Sequence, residues 1–393
     1  MVWGEELTNG IRPARGQLLL NRMSRANVTT GMVTVVTPTR NREQLLGRML
    51  AYYRSVEPRF PIVIMDSSDR PIQSLRTQEL LSTPGVTYVV SDPGVPAFMK
   101  FVEGIKRVMT PYAVAWADDD FLVPRTLLAG VEFLEAHPSY ATVQGVALSF
   151  GVKTRHGQLE VEDVSNYPQR SEDADHAGAR IRSCFQSYWP AFYSLHRTPD
   201  LVANVETVRR SRVTASSWME LALAALSLAR GKSKKLPSLY MVRQFHAANT
   251  GNRNPDGTAQ TAFDWMLSPD FSSDANKVIE MLVPVVASTD GVPEAEAEIT
   301  IRQALLAYLG VQIEKAHSGM IAAQSPVRAA AKGVPGVRSA VRISRSALRR
   351  IKERASGTPT LAELRSGRSV YSGDFKPIYE AIVGRAPSSS GQG

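Results

Sequence analysis

Apolar residues between positions 31 and 125 follow two alternating patterns. Four short runs rich in β-branched residues predict buried strands, at 32–36, 62–65, 86–90 and 112–116. Between these runs, apolar residues recur at intervals of three and four, which predicts helices with one buried face. We expect Asn41 to cap the first helix, which carries Leu45, Leu46, Met49 and Tyr53. Strands and helices that alternate with short connections predict an α/β fold with an open, mostly parallel sheet flanked by helices.

The pattern continues less regularly beyond residue 125. It predicts helices at 127–136 and 216–230, strands near 142–150, 193–197 and 239–242, and mainly helical structure from residue 274 onward. The polar stretch 151–185 is expected to be a long loop, and the Gly/Asn-rich stretch 246–258 a mobile one. The predicted organisation is an extension (1–30), one domain (31–260, with halves 31–125 and 126–260), a helical extension (270–325) and a tail (326–393).

Three adjacent acids, Asp118, Asp119 and Asp120, directly follow the fourth predicted strand. Ligands of open α/β sheets collect at the carboxyl ends of the strands, where Thr37 and Asp66 also fall. Adjacent carboxylates repel one another, so a cation among them is expected. In an extended segment Asp118 and Asp120 would point to one side and could share Mn²⁺ or Mg²⁺ with substrate phosphates. The alternative is a solvated acidic loop that ends the strand.

These pieces together resemble the GT-A glycosyltransferases, in particular the family-2-like group. The resemblance covers about residues 32–250 and rests on Thr37-Pro38-Thr39-Arg40-Asn41-Arg42, Asp66-Ser67-Ser68-Asp69 and the acidic triplet, in the family's order. It implies a nucleotide pocket lined by Thr37, Pro38 and Arg40, with Asp66 on the base or ribose. It also implies that Asp118 and Asp119 contact the donor, and that Asp118 and Asp120 bind the metal in the DxD role. Where many relatives carry an acid, this chain has Ala117.

The same resemblance suggests further site residues, each with an ordinary structural alternative. Lys100 could reach the donor phosphates or be a solvated helix position. Glu220 matches the catalytic base of an inverting reaction, although acids are favoured in any first helical turn. Arg243 could neutralise the leaving diphosphate, and His246 could complete the metal shell or be an ordinary polar residue. An acceptor platform is suggested by three aromatic residues, for which packing is the alternative: Tyr188, Trp189 and Trp218.

The net charge of +9 changes this picture only locally, because nine basic residues and one acid lie between Arg328 and Arg354. Apolar residues on one face of 335–354 predict an amphipathic helix, either on an anionic membrane surface or packed on the domain. Nucleic-acid binding is not favoured, because aromatic residues do not interleave with the basic ones and no recognition motif accompanies them. One cysteine, Cys184, and an N-terminus unlike a signal peptide predict a cytoplasmic protein, with a peripheral position on the inner membrane face as the alternative.

The sequence therefore predicts a metal-dependent, hexosyltransferase-type glycosyltransferase. Its donor would be a nucleotide-diphospho-sugar, and its acceptor a sugar, glycan or lipid-linked molecule in polysaccharide, glycolipid or surface glycan synthesis. A sugar nucleotidyltransferase is one alternative, but residues 37–40 lack the expected glycine-rich loop. A haloacid-dehalogenase-type phosphatase would carry its aspartates after the first strand. A non-catalytic nucleotide-sugar-binding protein is the alternative from another class.

Overall fold

The computed structural model describes residues 31–245 except Pro58 and Gly157, then residues 265–324 and 357–384. Within these ranges, nine strands form one sheet. They are β1 (Val33–Thr39), β2 (Ile62–Asp66), β3 (Val86–Val90), β4 (Tyr112–Ala115), β5 (Phe121–Leu122), β6 (Tyr140–Arg155), β7 (Gln158–Tyr167), β8 (Leu195–Arg197) and β9 (Lys232–Phe245). The predicted segments 1–30, 246–258 and 335–354, and His246, lie outside the described residues.

The order of the strands in the sheet is β3-β2-β1-β4-β8-β6-β9-β5, and β7 pairs with β6. Strands β1 to β4 are parallel to their neighbours in this series, and β6 is parallel to β9. Strand β8 is antiparallel to both β4 and β6 and so joins two parallel groups. The predicted α/β class with an open, mostly parallel sheet is therefore confirmed.

Helices cover both faces of the sheet. Strand β1 accordingly has apolar side chains on both sides, and each side packs against a different set of helices. The described helices are α1 (Glu43–Ser55), α2 (Leu75–Leu81), α3 (Ala97–Ile105), α4 (Pro124–Ala136), α5 (Ala177–Gln186), α6 (Thr198–Ser211), α7 (Ser216–Arg230), α8 (Phe271–Asp290), α9 (Glu294–Gln324), α10 (Leu361–Ser366) and α11 (Ser372–Val383). Val33 and Val35 pack in a core with residues of α1 and α4. Val36 belongs to the opposite core, with α3 and α5 to α9.

The C-terminal helices α10 and α11 return to the sheet and form a third apolar cluster. Phe375 and Ile378 are fully buried there together with Phe121 and Phe150 of the sheet. An ion pair between Arg125 and Asp374 lies beside this cluster. The predicted helical C-terminal part is thus confirmed, and residues 361–383 pack against the domain. Among the described helices, no stretch is both long and apolar enough to cross a lipid bilayer.

Three local predictions are wrong. The stretch 151–185 is not a long loop, since it completes the β6–β7 hairpin and forms α5. Asn41 does not cap α1, because the N-cap is Arg42 and Asn41 has a positive φ of 53°. The acidic triplet is not extended: Asp118 and Asp119 form a tight turn between β4 and β5.

Candidate functional site

The carboxyl ends of β1, β2 and β4 meet at one edge of the sheet. Thr39 at the end of β1 pairs with Asp66 at the end of β2. The backbone N–H of Trp116, directly after β4, donates to the carbonyl of Val36 in β1. This register brings the acidic turn beside the end of β1, as the parallel strand order predicts.

The loop after β1 is fixed to the loop after β2. The Asn41 side-chain amide donates to Asp69 at 2.7 Å, and the Asp69 backbone N–H donates back to Asn41 Oδ1 at 3.0 Å. Arg40 forms an exposed ion pair with the same Asp69 at 3.2 Å. Asn41 tolerates the left-handed backbone conformation better than most residues. This turn leaves Arg40 and Arg42 on the site side of β1.

Asp118 and Asp119 are both buried and share one guanidinium group. Arg42 Nη1 donates to Asp118 Oδ1 at 2.9 Å and to Asp119 Oδ2 at 3.1 Å. Thr39 Oγ1 donates to the second oxygen of Asp118 at 2.7 Å. Burial raises the pKa of Asp118, and Asp119 raises it further, whereas Arg42 and Thr39 lower it. Burial lowers the pKa of Arg42, but its two acids raise it more.

Asp120 is buried and faces β9. Its Oδ1 accepts the backbone N–H of Gln244 at 3.0 Å, and Arg243 Nε lies 3.8 Å from its Oδ2. Arg243 is itself held between two aromatic rings, with its Cζ 5.0 Å from the Tyr167 centroid and 5.2 Å from the Tyr193 centroid. Burial raises the pKa of Asp120, which Arg243 and the Gln244 N–H partly offset. Asp118 and Asp119 therefore share the Arg42 guanidinium group, whereas Asp120 faces Arg243.

Lys100 is a buried residue of α3 and not a solvated helix position. Its ammonium group donates to the carbonyl of Thr39, and only 2% of the residue is exposed. Burial lowers the pKa of Lys100, while the nearby Asp66 and Asp118 raise it. The lysine therefore places a positive charge between the ends of β1, β2 and β4.

Glu220 lies in the first turns of α7, which follows a fixed loop. Asp274 of α8 accepts the backbone N–H groups of Thr214 and Ala215 at 3.0 and 2.9 Å. The Tyr188 hydroxyl donates to Glu220 Oε1 at 3.0 Å. Burial raises the pKa of Glu220, and Tyr188 and Arg243 lower it. A glutamate with a raised pKa next to a cavity is suited to accept a proton.

A cavity of about 220 Å³ connects these groups. Cations, acids and apolar side chains contribute to its wall, namely Arg40, Arg42, Lys100, Asp118, Glu220, Phe98, Phe101, Phe192, Tyr193, Met219 and Leu223, with Pro38, Thr39, Ala97, Ala117 and Ser216. The positive charges are suited to an anionic group and the aromatic surfaces to the apolar face of a sugar. The cavity thus joins Asp118, in the turn after β4, to Glu220 of α7.

A second, larger cavity of about 500 Å³ adjoins the same edge of the sheet beside Asp66. Asp66 accepts the Tyr88 hydroxyl at 2.6 Å and the Ser68 hydroxyl at 2.5 Å. Asp66 also accepts the Ser68 backbone N–H, so it fixes the turn after β2. Asp66 lies at the wall of this cavity, and its contact with the base or ribose stays a prediction.

The sequence missed two residues of this site and placed others differently. Thr37 is fully buried and lines neither of these two cavities, whereas Thr39 contacts Asp118 and lines the smaller one. Arg42 was not expected to contact the acids. Its position, three residues after the strand-ending Thr39, was the available signal. The acceptor platform is not supported by Trp189 and Trp218, which are buried in the core.

Asp118 and Asp119 carry the oxygens that a divalent cation at this site would need. Arg42 Nη1 already places positive charge within hydrogen-bond distance of one oxygen from each of two carboxylates. Such a pair of oxygens suits Mg²⁺ or Mn²⁺, which commonly complete their shell with phosphates and water. Among the described residues, no three His, Cys, Asp or Glu side chains lie close enough to form a complete metal site. The protein would thus supply two carboxylates, provided that Arg42 leaves them.

No protein-family model matches the sequence, and no curated protein matches it either. Solved structures that are similar to this chain include crystal structures of Staphylococcus aureus TarS 1-349. One is 12% identical over 73% of this chain and 91% of that chain, with a TM-score of 0.37. A second, in complex with UDP-GlcNAc, is 12% identical over 73% and 92% of the two chains, with a TM-score of 0.38. This is a loose likeness, and the α/β architecture rests on the strand order itself.

Proposed function

We propose that this protein is a glycosyltransferase that uses a nucleotide-diphospho-sugar donor. The observation that carries the proposal is the cavity that joins the cationic end of β1 to the carboxylates Asp118 and Glu220. A donor needs cations for its diphosphate, and transfer needs a base for the acceptor hydroxyl. Both kinds of group line one cavity at the carboxyl edge of the sheet.

In this proposal the cationic, acidic and aromatic side chains have different roles. Arg40, Arg42 and Lys100 bind the diphosphate, and Asp66 contacts the base or ribose beside the second cavity. Glu220 accepts the proton of the acceptor hydroxyl as the sugar is transferred. The aromatic wall formed by Phe98, Phe101 and Phe192 excludes water and contacts the sugar. Arg243, fixed on Asp120, adds positive charge near the leaving group.

A divalent cation, Mn²⁺ or Mg²⁺, would neutralise charge that develops on the departing diphosphate. Asp118 and Asp119 are its best-placed protein ligands, since they converge on a cationic group. The roles of Asp120 and His246 as ligands stay predictions from the resemblance.

The donor proposal is tested by replacing Asp118 with Asn in the full chain. We expect the wild type to gain thermal stability with at least one of the UDP-, GDP- or dTDP-sugars in the presence of Mn²⁺. The variant should bind that donor at least ~10-fold more weakly, because a lost charge-assisted contact is worth about 1.5–3 kcal/mol. Asp173→Asn is the control, an exposed acid beside Tyr140 at the amino end of β6. Equal binding by Asp118→Asn and the wild type would contradict the site.

Turnover separates the enzyme from the non-catalytic alternative. Slow hydrolysis of the bound sugar nucleotide by the wild type, lost in Glu220→Gln, would support transfer chemistry. Donor binding with no hydrolysis and no transfer to any sugar or lipid-linked acceptor would favour a nucleotide-sugar-binding protein.

We also propose that residues 335–354 attach the protein to anionic lipid, which suits a lipid-linked acceptor. Each basic residue near such a surface contributes about 1 kcal/mol at most. The full chain should sediment with vesicles that contain phosphatidylglycerol and should be released by high salt. A chain in which Arg338, Arg342, Arg345 and Arg349 are changed to Gln should stay in the supernatant. If both chains behave alike, the segment does not bind membranes.

A further inference from the structure

The contact between Arg42 and the acidic turn occupies the oxygens that a metal would need. One guanidinium nitrogen bridges Asp118 Oδ1 and Asp119 Oδ2, and the Thr39 hydroxyl takes the remaining oxygen of Asp118. A divalent cation binds carboxylate oxygens directly at about 2.0–2.6 Å. It cannot do so while the guanidinium group lies between the two acids. Arg42 and the cation therefore compete for one position.

A displaced Arg42 needs another anionic partner. Its side chain is only 14% exposed, so the charge cannot simply turn into bulk water without a large movement. Arg42 lines the small cavity together with Arg40 and Lys100. A diphosphate in this cavity offers oxygens in the paired geometry that a guanidinium group prefers.

A second arginine keeps Asp119 in a positive environment when Arg42 leaves. Arg48 of α1 is partly buried, and burial lowers its pKa, while the nearby Asp119 charge raises it. Its Nη1 is buried and has no hydrogen-bond partner among the described residues. The acidic turn thus retains one nearby arginine after the exchange, whereas the oxygens that Arg42 covered become available.

We propose that Arg42 holds the cation position of Asp118 and Asp119 in the free protein and moves onto the donor diphosphate when the donor binds. Cation and donor then bind cooperatively, because the donor removes the competitor of the cation. The destination of Arg42 rests on the proposed function, but its competition with a cation does not. By thermodynamic linkage, the cation must strengthen donor binding by the factor by which the donor strengthens cation binding.

The test measures Mn²⁺ binding to the full chain by electron paramagnetic resonance. Each titration is done without nucleotide and with saturating UDP, GDP or dTDP. In the wild type we expect at least ~10-fold tighter Mn²⁺ binding with the accepted nucleotide, within the usual range of such couplings. Arg42→Gln should bind Mn²⁺ alone at least ~5-fold more tightly than the wild type and show a smaller coupling, because only direct contact between the cation and the diphosphate then remains.

Arg40→Gln is the matched control, because it removes a cation from the same cavity without touching the acidic turn. Its Mn²⁺ affinity without nucleotide should stay within about twofold of the wild type. Arg42→Lys keeps the charge and serves if the Gln variant does not fold, which circular dichroism shows. The lysine nitrogen lies one bond closer to the backbone than Arg42 Nη1 and bridges the two acids less well, so Mn²⁺ alone should bind this variant more tightly than the wild type.

The outcomes separate the two proposals. The competition is refuted if folded Arg42 variants bind Mn²⁺ alone no better than the wild type, or if wild-type Mn²⁺ binding ignores every nucleotide that the protein demonstrably binds. The proposed function fails instead if no nucleotide or sugar nucleotide binds with or without Mn²⁺. The comparison of Mn²⁺ binding without nucleotide still decides the role of Arg42 in that case.

Discussion

At the scale of single residues, the acidic turn is stable because every carboxylate has a fixed partner. Asp118 and Asp119 share Arg42, while Asp120 accepts a backbone N–H from β9. The sequence could predict that these acids meet the end of β1, since parallel strands end at one edge. It could not predict the partners, because the turn conformation at Asn41 and at the triplet depends on contacts between distant loops.

Glu220 should act in catalysis more than in donor binding. Replacing it with Gln removes the proton acceptor but keeps a side chain that can accept from Tyr188. We expect kcat to fall about 10²–10⁴-fold, with donor affinity, measured by calorimetry, within about twofold. Glu314→Gln, an exposed change on α9, is the control. A similar loss in both variants would show that Glu220 is not the base.

The pH dependence of activity should follow the raised pKa of Glu220. The base works only when deprotonated, so kcat/KM should rise with pH up to and somewhat above that raised value. Tyr188→Phe removes a hydrogen bond that stabilises the carboxylate, so it should raise this pKa further. The acid limb of the pH profile should then move to higher pH by up to about one unit. An unchanged or lowered limb would contradict the assignment.

At the scale of elements, the periodicity of apolar residues predicts the parallel strands β1 to β4. It does not predict the β6–β7 hairpin or helix α5 in the middle of the chain. The β6–β7 hairpin contains a bulge near Phe150, so its inward residues Val161 and Val164 do not follow a period of two. Helix α5 has no side-chain cap of its own. Its first N–H groups are bound by Asp290, 113 positions away for Ala177. Local patterns cannot show a strand whose alternation is broken or a helix start that is supplied by a distant residue.

The position of α3 depends on a glycine at its contact with the sheet. A Cβ at Gly104 would lie 2.5 Å from Val36 Cγ1 and 3.0 Å from Met65 Cγ. Gly104→Ala should therefore destabilise the protein by about 1–3 kcal/mol and displace Lys100, which lies one helical turn away. Denaturant unfolding and donor affinity measure the two effects.

Gly310→Ala is the control for this helix change. Nothing lies within 4 Å of a Cβ at Gly310 in α9, so the substitution should stabilise the protein by up to about 1 kcal/mol. If both glycine variants are more stable than the wild type, the close packing of α3 is wrong.

At the scale of the whole molecule, the C-terminal helices support the half of the sheet that holds Asp120. Phe121 follows this acid directly and pairs with Val242 of β9, and both residues lie in the cluster with Phe375 and Ile378. The sequence showed helical spacing in this region. The sequence did not indicate that these helices pack on the sheet, because apolar periodicity identifies a buried face without identifying what covers it.

Phe375→Ala should reveal this support. Phe375 is fully buried, so the free energy of unfolding should fall by about 3–5 kcal/mol in urea denaturation. Val370→Ala, at a residue that is 82% exposed in the same C-terminal part, should change it by less than about 0.5 kcal/mol. Equal stability of the two variants would mean that α10 and α11 do not contribute to the domain core.

The ion pair between Arg125 and Asp374 joins positions that are 249 residues apart, and this separation has a consequence for biosynthesis. A ribosome adds about 5–20 residues per second, so the nascent chain waits on the order of tens of seconds before α11 can emerge. Until α10 and α11 emerge, Phe121 and Phe150 lack their covering helices and leave an apolar face of the sheet exposed. We therefore expect chaperones to bind the unfinished sheet. We also expect translation products that stop before residue 361 to aggregate, because the helices that complete this core are made last.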